Sequence, residues 1–449
     1  MRLWVKILMV AAMTIAILVP LTMVRGVIHE RQARRADVVA DVSASYGGRQ
    51  AISGPVLVVP YTESVREQVD DGAGVMRTTV RRRTRHWTFF PDTLVVDGEM
   101  APDTRRRGLH EVRVYEWLGT VQARFDVRIP DDAPEGADRS IGEPWLAFGI
   151  ADVRGLRELP RMQLDGRALE LAQGIGHGDG PGVHARLKAP VPGARLSFGS
   201  RADLQLRGTE SFAMMPLARD NDLRLRSTWA HPRFEGLSPV HDLDGAGFNA
   251  QWKVASLSTD AQRRYRRNAS LAGSVHGTAG WGADPDAAGV SLVDPVNAYL
   301  QAERATKYGL LFVLLTFVAF FMFELIRQQP IHPIQYGLVG LAIAVFFLLL
   351  VSLGEHIAFG FAFLAAALAC IGLVGFYLSA VLGGALRGAG FAAMLATLYA
   401  ALYGLLVSED NALVLGAGLL FVVLATIMVL TRRIDWYRLA PAPGHRRDA

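Results

Sequence analysis

Glu324 stands in an otherwise uncharged apolar run, with Arg327 one helical turn after it. A carboxylate in that setting could serve as a buried proton or ion site. The simpler reading is that it reaches the interface and pairs with Arg327. Glu355-His356 and Glu409-Asp410 lie in two short loops that together could hold a cation, and ordinary loop polarity accounts for them equally. Tyr377, Ser379, Tyr399 and Tyr403 are mild polar groups expected near helix ends. Farther up the chain, His177-Gly178-Asp179 and His184 sit among Gly174, Gly176, Gly180 and Gly182. Metal ligands need a fixed frame, which such a loop does not supply, so these read as solvated turn residues. His86, His231 and His241 lack the two-histidine spacing of a helical metal site, and no G-x-S-x-G stretch occurs. No catalytic set, metal site or cofactor is expected, and the chain reads as a non-enzyme. Two arginine clusters, Arg81-Arg82-Arg83 with Arg85 and Arg105-Arg106-Arg107, could attract anionic head groups or cell-wall polymers; solvated turns and strand ends are the better reading.

The elements that must position these residues are dominated by the last third of the chain. Five apolar stretches, 308–326, 334–353, 357–382, 389–407 and 411–431, are each close to the roughly 20 residues a helix needs to cross ~30 Å of hydrocarbon. Lipid offers backbone amides no water, so each must be helical. The first carries thirteen Leu, Ile, Val and Phe residues. Their insertion gain, about −4 to −8 kcal/mol, outweighs the ~3 kcal/mol that Glu324 costs at most. Residues 7–24, behind Arg2 and Lys6, are too long for a signal-peptide core and lack a small-residue cleavage site. They read as an uncleaved sixth crossing, with Pro20 as a potential kink.

Arg327, Arg387 and the arginines after 431 lie on one side of this bundle, whereas the opposite loops carry no Lys or Arg. The positive-inside rule then puts both termini in the cytoplasm and residues 26–307 in the periplasm. The expected organisation is an anchor (1–25), a large outer domain (26–307), a five-helix bundle (308–431) and a cytoplasmic tail (432–449). Helical composition from Ile28 to Ala44, stopping at Gly47-Gly48, and a helix start at Asp294-Pro295 suggest two stalk helices flanking the outer domain. Glu30, Arg31, Arg34 and Arg35 would face Glu303, Arg304 and Lys307 across it.

Between the stalk helices the period is two. Phe125, Val127 and Ile129 alternate with Arg124, Asp126 and Arg128, and Leu223 and Leu225 alternate with Arg224 and Arg226. Pro55 to Pro60 reads as a buried strand bounded by prolines, and Trp87–Phe90 and Leu94–Val96 flank a Pro91-Asp92 turn. Such strands predict antiparallel, sandwich-like sheets. A subdivision is expected near 165–190 and a mobile loop over 268–290. The net charge of +5 is spread or membrane-flanking, which argues against nucleic acid. The single cysteine, Cys370, falls in a predicted membrane helix, so the polar region must hold together without disulfides.

Several stretches carry a family resemblance in a fixed order. They are Ser53-Gly54-Pro55, Asp152-Val153-Arg154-Gly155, Trp229-Ala230-His231-Pro232, and Gly247-Phe248 before Trp252. Then come Glu303-Arg304-Ala305-Thr306-Lys307-Tyr308, Thr316 to Phe321, Phe323-Glu324, His332-Pro333-Ile334-Gln335-Tyr336, Val339-Gly340, Glu355-His356 and Ile434-Asp435-Trp436-Tyr437. Together they resemble the CreD family of bacterial inner-membrane proteins. The resemblance implies a Gram-negative envelope protein controlled by a sensor kinase and response regulator, tied to envelope integrity and to tolerance of colicins or β-lactams. It carries over no catalytic residue. Gly54-Pro55 suits a turn before a strand, and Trp436 and Tyr437 suit interface anchors after the last crossing. Glu324, His332, Gln335 and Tyr336, with Glu355 and His356, are the candidate functional residues. The leading expectation is a polytopic helical membrane protein whose β-rich domain binds an envelope component or protein partner. A lipid or small-molecule transporter and a membrane-embedded enzyme are the alternatives.

Overall fold

The computed structural model describes residues 3–70, 76–133, 137–177, 180–267, 285–292, 298–327, 331–408 and 412–432. The chain divides into two compact units, one of Met1–Arg35 with Val296–Ala449 and one of Ala36–Pro295. The helices α1 (Leu3–Tyr46) and α2 (Ala261–Arg267) precede α3 (Ala298–Arg327), α4 (Pro333–Gly354), α5 (Phe359–Val381), α6 (Ala385–Val407) and α7 (Ala412–Thr431). α1 continues through Pro20 to the predicted stop, where Gly47 takes φ +103°. A Cβ there would lie 2.8 Å from the Arg207 carbonyl, so glycine serves both the left-handed turn and the close approach.

In the first unit, one N-terminal and four C-terminal helices are long and apolar enough to cross a membrane. The sequence reading expected five at the C-terminal end. The difference lies in α7, a 20-residue apolar helix whose span over Val414–Val429 is the shorter one. Ile17, Leu21, Val24 and Ile28 of α1 share one apolar cluster with α3, α4, α5 and α6. Gly340 makes this tight packing possible, because a Cβ there would come within 2.7 Å of Ile17 and 2.8 Å of Phe317. Tyr399 departs from its expected helix-end place. It is 2% exposed and packs on Phe312 and Phe346, and its hydroxyl donates to Cys370 Sγ at 3.1 Å. Polar contacts join the stalk helices. Gln32 Nε2 donates to Glu303 at 3.4 Å and Arg25 to the Thr306 carbonyl at 3.0 Å, whereas Arg34–Glu30 and Lys307–Glu303 are ion pairs within single helices.

The second unit is a sandwich of two sheets. Its strands, in chain order, are β1 (Gln50–Asp70), β2 (Met76–Phe89), β3 (Thr93–Arg107), β4 (His110–Arg128), β5 (Ala137–Ile141), β6 (Trp145–Ile150), β7 (Arg161–Leu164), β8 (Arg167–Ala168), β9 (Ala172–Gln173), β10 (Gly182–Arg186), β11 (Arg195–Thr209), β12 (Ser211–Met214), β13 (Asp220–Ser227), β14 (Pro232–Gly236), β15 (Val240–Leu243), β16 (Phe248–Ala255) and β17 (Ala288–Leu292). The first sheet runs β14-β17-β12-β1-β6-β10-β9, with β2 and β5 also on β1. The second runs β15-β16-β13-β3-β4-β11-β7-β8. One core joins the inner faces, Leu57, Val59 and Phe148 from the first sheet and Leu94, Trp117 and Leu223 from the second. On β1 the intervening Val56 and Val58 join a further cluster, with Ala261 and Tyr265 of α2. Both faces of β1 are covered, which explains its unbroken apolar run.

Several expectations need correction. The sheets are mixed, because β1 pairs parallel with β12 and β13 pairs parallel with β3. Gly54-Pro55 does not precede a strand, and the prolines do not bound one. β1 absorbs the cis Gly54-Pro55 bond through a register shift between Ser53 and Val56, and Pro60 stays paired with His86. Pro91-Asp92 leads from β2 in one sheet to β3 in the other. Strands on either side of 165–190 pair in both sheets, β1 with β12 and β11 with β4, so hydrogen bonding joins the two halves. Of the expected mobile loop, 268–284 lie outside the described residues, and Ala288 to Val290 are buried in β17. Asp294-Pro295, Glu409-Asp410, Trp436 and Tyr437 also lie outside them.

Candidate functional site

The candidate residues fall into two sets at opposite ends of α4, whose 22 residues span about 33 Å. At its start, His332 is the N-cap. Its Nδ1 accepts the Ile334 amide at 3.3 Å, and Gln335 Oε1 accepts the His332 amide at 3.1 Å. With Pro333 opening the helix, these two side chains form a reciprocal cap. One turn on, Tyr336 is 1% exposed and packs on Phe317 and Phe320 of α3. Its hydroxyl donates to Glu324 Oε2 at 3.0 Å, and Glu324 Oε1 accepts the Ile331 amide at 3.2 Å. Glu324 is 6% exposed and therefore does not simply reach out to water. It receives one donor from the α3–α4 connection and one from α4, which is what a buried carboxylate requires. The Arg327 side chain lies outside the described ones.

At the far end of α4, Glu355 Oε1 lies 3.5 Å from Arg31 Nε of α1, and the His356 Nδ1 donates to the Ser352 carbonyl at 3.1 Å. The sequence places Arg31 opposite the start of α3. The Glu355 carboxylate, with its side chain 8% exposed, gives it a more enclosed partner. The structure thus brings Glu324 and Tyr336 into contact, places His332 and Gln335 beside them as a cap, and leaves Glu355 and His356 in a separate group.

The β-rich unit contains two arrangements that the sequence reading did not assign. Asp152 is 6% exposed; its Oδ2 accepts the Gly48 amide at 2.9 Å and the Arg154 guanidinium at 2.7 Å. Burial raises its carboxyl pKa, but the Arg154 guanidinium and the Gly48 and Arg154 amides outweigh burial and hold it below the usual carboxylate range. Gln50 completes the knot, donating to the Asp152 and Arg207 carbonyls at 2.8 and 2.9 Å. A Cβ on Gly155 would collide with Gln50 and the Arg207 carbonyl. The Asp152-Val153-Arg154-Gly155 stretch therefore ties down the turn between α1 and β1.

The second arrangement is a cavity of about 740 Å³ on the eight-stranded sheet, lined by Asp97, Thr120, Arg161, Arg201, Asp203 and Arg226 among others. Arg226 pairs with Asp97 at 3.1 Å and Arg201 with Asp203 at 3.0 Å. Arg201, then Thr120, hold the Asp203 carboxyl below its ordinary range. Beneath this surface Gly98 and Gly119 face each other across β3 and β4, and a Cβ on either would run into the Trp117 indole. The Gly98–Gly119 register was the only signal in the sequence, and it becomes readable only once the strands are paired.

The model of a family described as inner membrane protein CreD matches residues 2–437. Inner membrane protein CreD of Escherichia coli (strain K12) is 34% identical over 429 residues, which cover 94% of this chain and 91% of that protein.

Proposed function

The chain belongs to the CreD family of inner membrane proteins, and from that premise we propose that it is an envelope-integrity protein that holds a binding domain at the membrane surface. In this reading both termini are cytoplasmic and residues 26–307 are periplasmic. The Arg31–Glu355 pair supports this, because it puts the α4–α5 turn at the same end of the bundle as the exit of α1. It also gives Arg31, which in this orientation lies on the periplasmic side where the positive-inside rule disfavours a cation, a carboxylate partner.

The observation that carries the binding role is the polar cavity of about 740 Å³ on the eight-stranded sheet. Its alternating cations and carboxylates suit a polar or zwitterionic envelope component or a protein partner better than an apolar ligand. The larger cavities of the helical unit have mainly apolar linings, with Arg387, Thr397 and Thr426 in one and Cys370 and Tyr377 in the other. This favours a scaffold over a conduit for polar solutes.

The test is complementation of a deletion strain by the full chain carrying Arg201→Glu with Arg226→Glu, scored as β-lactam and colicin tolerance at equal protein level. Loss of complementation is expected. Full complementation by that variant, with loss in Glu324→Gln at normal protein level, would move the function into the helical unit.

A further inference from the structure

We propose that the groove between α3, α6 and α7 is a site for one acyl chain of an anionic phospholipid, with Arg387 holding the headgroup phosphate. The cavity measures about 710 Å³ and is bordered by Met322 of α3, Met394 and Leu398 of α6, and Val422 and Thr426 of α7. Among the described residues, Arg387 is its one ionisable lining side chain. It sits at one end, in the first turn of α6. Its Nη1 donates to the Leu382 carbonyl at 2.7 Å, and it forms no ion pair with a described residue, so the rest of the guanidinium fork remains for a phosphate.

The direction of the groove follows from helix order. Phe320 meets Phe391, and Phe312 meets Tyr399, so α3 and α6 run antiparallel. The C-terminal end of α3 and the start of α6 therefore lie at one level. From Arg387 to Leu398 along α6 is about 17 Å at the helical rise. That is close to half of a ~30 Å hydrocarbon core, the depth of one leaflet. A cation at headgroup level above an apolar slot one leaflet deep matches the two ends of a phospholipid.

Gly390 allows a direct test, because a Cβ there meets nothing within 4 Å and a larger side chain grows into the groove rather than into a neighbour. Replacing a helical glycine also raises helix propensity, so Gly390→Leu is expected to fold. The experiment is native mass spectrometry of the purified full chain incubated with equimolar phosphatidylglycerol and phosphatidylcholine. The wild type should retain phosphatidylglycerol about fivefold better, the effect of one basic side chain at a headgroup. Arg387→Gln should bring the two lipids level, Arg387→Lys should keep most of the preference, and Arg432→Gln should leave it unchanged. Gly390→Leu should retain one lipid fewer of either kind; Thr426→Leu serves as a second filling variant. The proposal is overturned if Arg387→Gln keeps the preference, if Arg432→Gln lowers it as much, or if both filling variants keep the full lipid count. It is equally overturned if the wild type flies as a lipid-free dimer, which would mean that a second copy covers the groove.

Discussion

The Asp152 carboxylate accepts the Gly48 amide at 2.9 Å, which fixes the point where α1 ends and β1 begins. Removing the charge with Asp152→Asn leaves the Arg154 guanidinium and a buried amide with a poorer acceptor. The expected loss is about 1.5–3 kcal/mol, as for other hydrogen bonds to charged groups. Because the folded carboxyl titrates below its unfolded value, the wild type has this contribution above the ordinary carboxylate pKa and loses it as pH falls through the folded one. Thermal unfolding of both proteins should therefore differ at neutral pH and converge in acid. A constant gap down to the lowest accessible pH would contradict this account.

Trp117 occupies the space that Gly98 and Gly119 leave empty. Gly119→Ala should cost about 1–3 kcal/mol through overpacking. Adding Trp117→Leu should recover part of the loss, since the two sites are in contact and their effects do not add. Strictly additive losses in the double variant would show that the indole and the glycine are not coupled. The polar cavity lies over this part of the sheet, so Gly119→Ala should also weaken whatever binding Arg201→Glu disrupts.

Tyr336 and Glu324 distinguish a structural role from a functional one. Tyr336→Phe takes a donor from a buried carboxylate, and about 1.5–3 kcal/mol of stability should go with it. If the pair only ties α3 to α4, envelope tolerance will follow the amount of folded protein in the membrane. A Tyr336→Phe protein present at normal level yet inactive would make the pair part of a working site.

His177 is half-buried, lies 5.0 Å from the His86 ring, and has an Nδ1 without a hydrogen-bond partner among the described residues. Burial, then the neighbouring imidazole, holds its pKa below the ordinary value. The unfolded chain takes up the proton first, so stability should be level above about pH 6.5 and decline as pH falls below it. His177→Phe should flatten that decline in thermal unfolding. An unchanged slope would place the titration elsewhere.

How much of this was legible in the sequence depended on whether the signal was local. Apolar runs such as Ala385–Val407 mark their helices because lipid leaves the backbone no alternative. The alternation of Leu223 and Leu225 with Arg224 and Arg226 marks β13, since one face is buried and the other wet. Signals that need two distant segments could not be read in advance. The parallel pairing of β13 with β3 and the grip of Asp152 on Gly48 depend on segments far apart in the chain, and the indole beside Gly98 and Gly119 depends on the register of the long β3–β4 hairpin. His332 and Gln335 are candidates because they belong to the stretches that carry the family resemblance, around the loop after α3. Their spacing of three, just before an apolar run, also fits a capping box, and that is the role they take.

The contact between Gln32 and Glu303 yields a prediction for the helical unit alone. Gln32 Nε2 and Glu303 Oε2 are 3.4 Å apart, on helices whose Ile28 and Ala302 share one apolar cluster. A single part-buried polar contact at 3.4 Å contributes little, ~1 kcal/mol, so apolar burial must hold α1 against α3. Glu303→Ala should therefore leave stability nearly unchanged, whereas Ile28→Ala should cost about 2–5 kcal/mol. With Cys370→Ser as background, Gln32→Cys with Glu303→Cys should link through a short bis-maleimide in membranes. The same should hold when Glu30 and Lys307 are neutralised, because the apolar contact sets the distance. A crosslink that disappears on neutralisation would mean that charge, and not packing, keeps the two helices together.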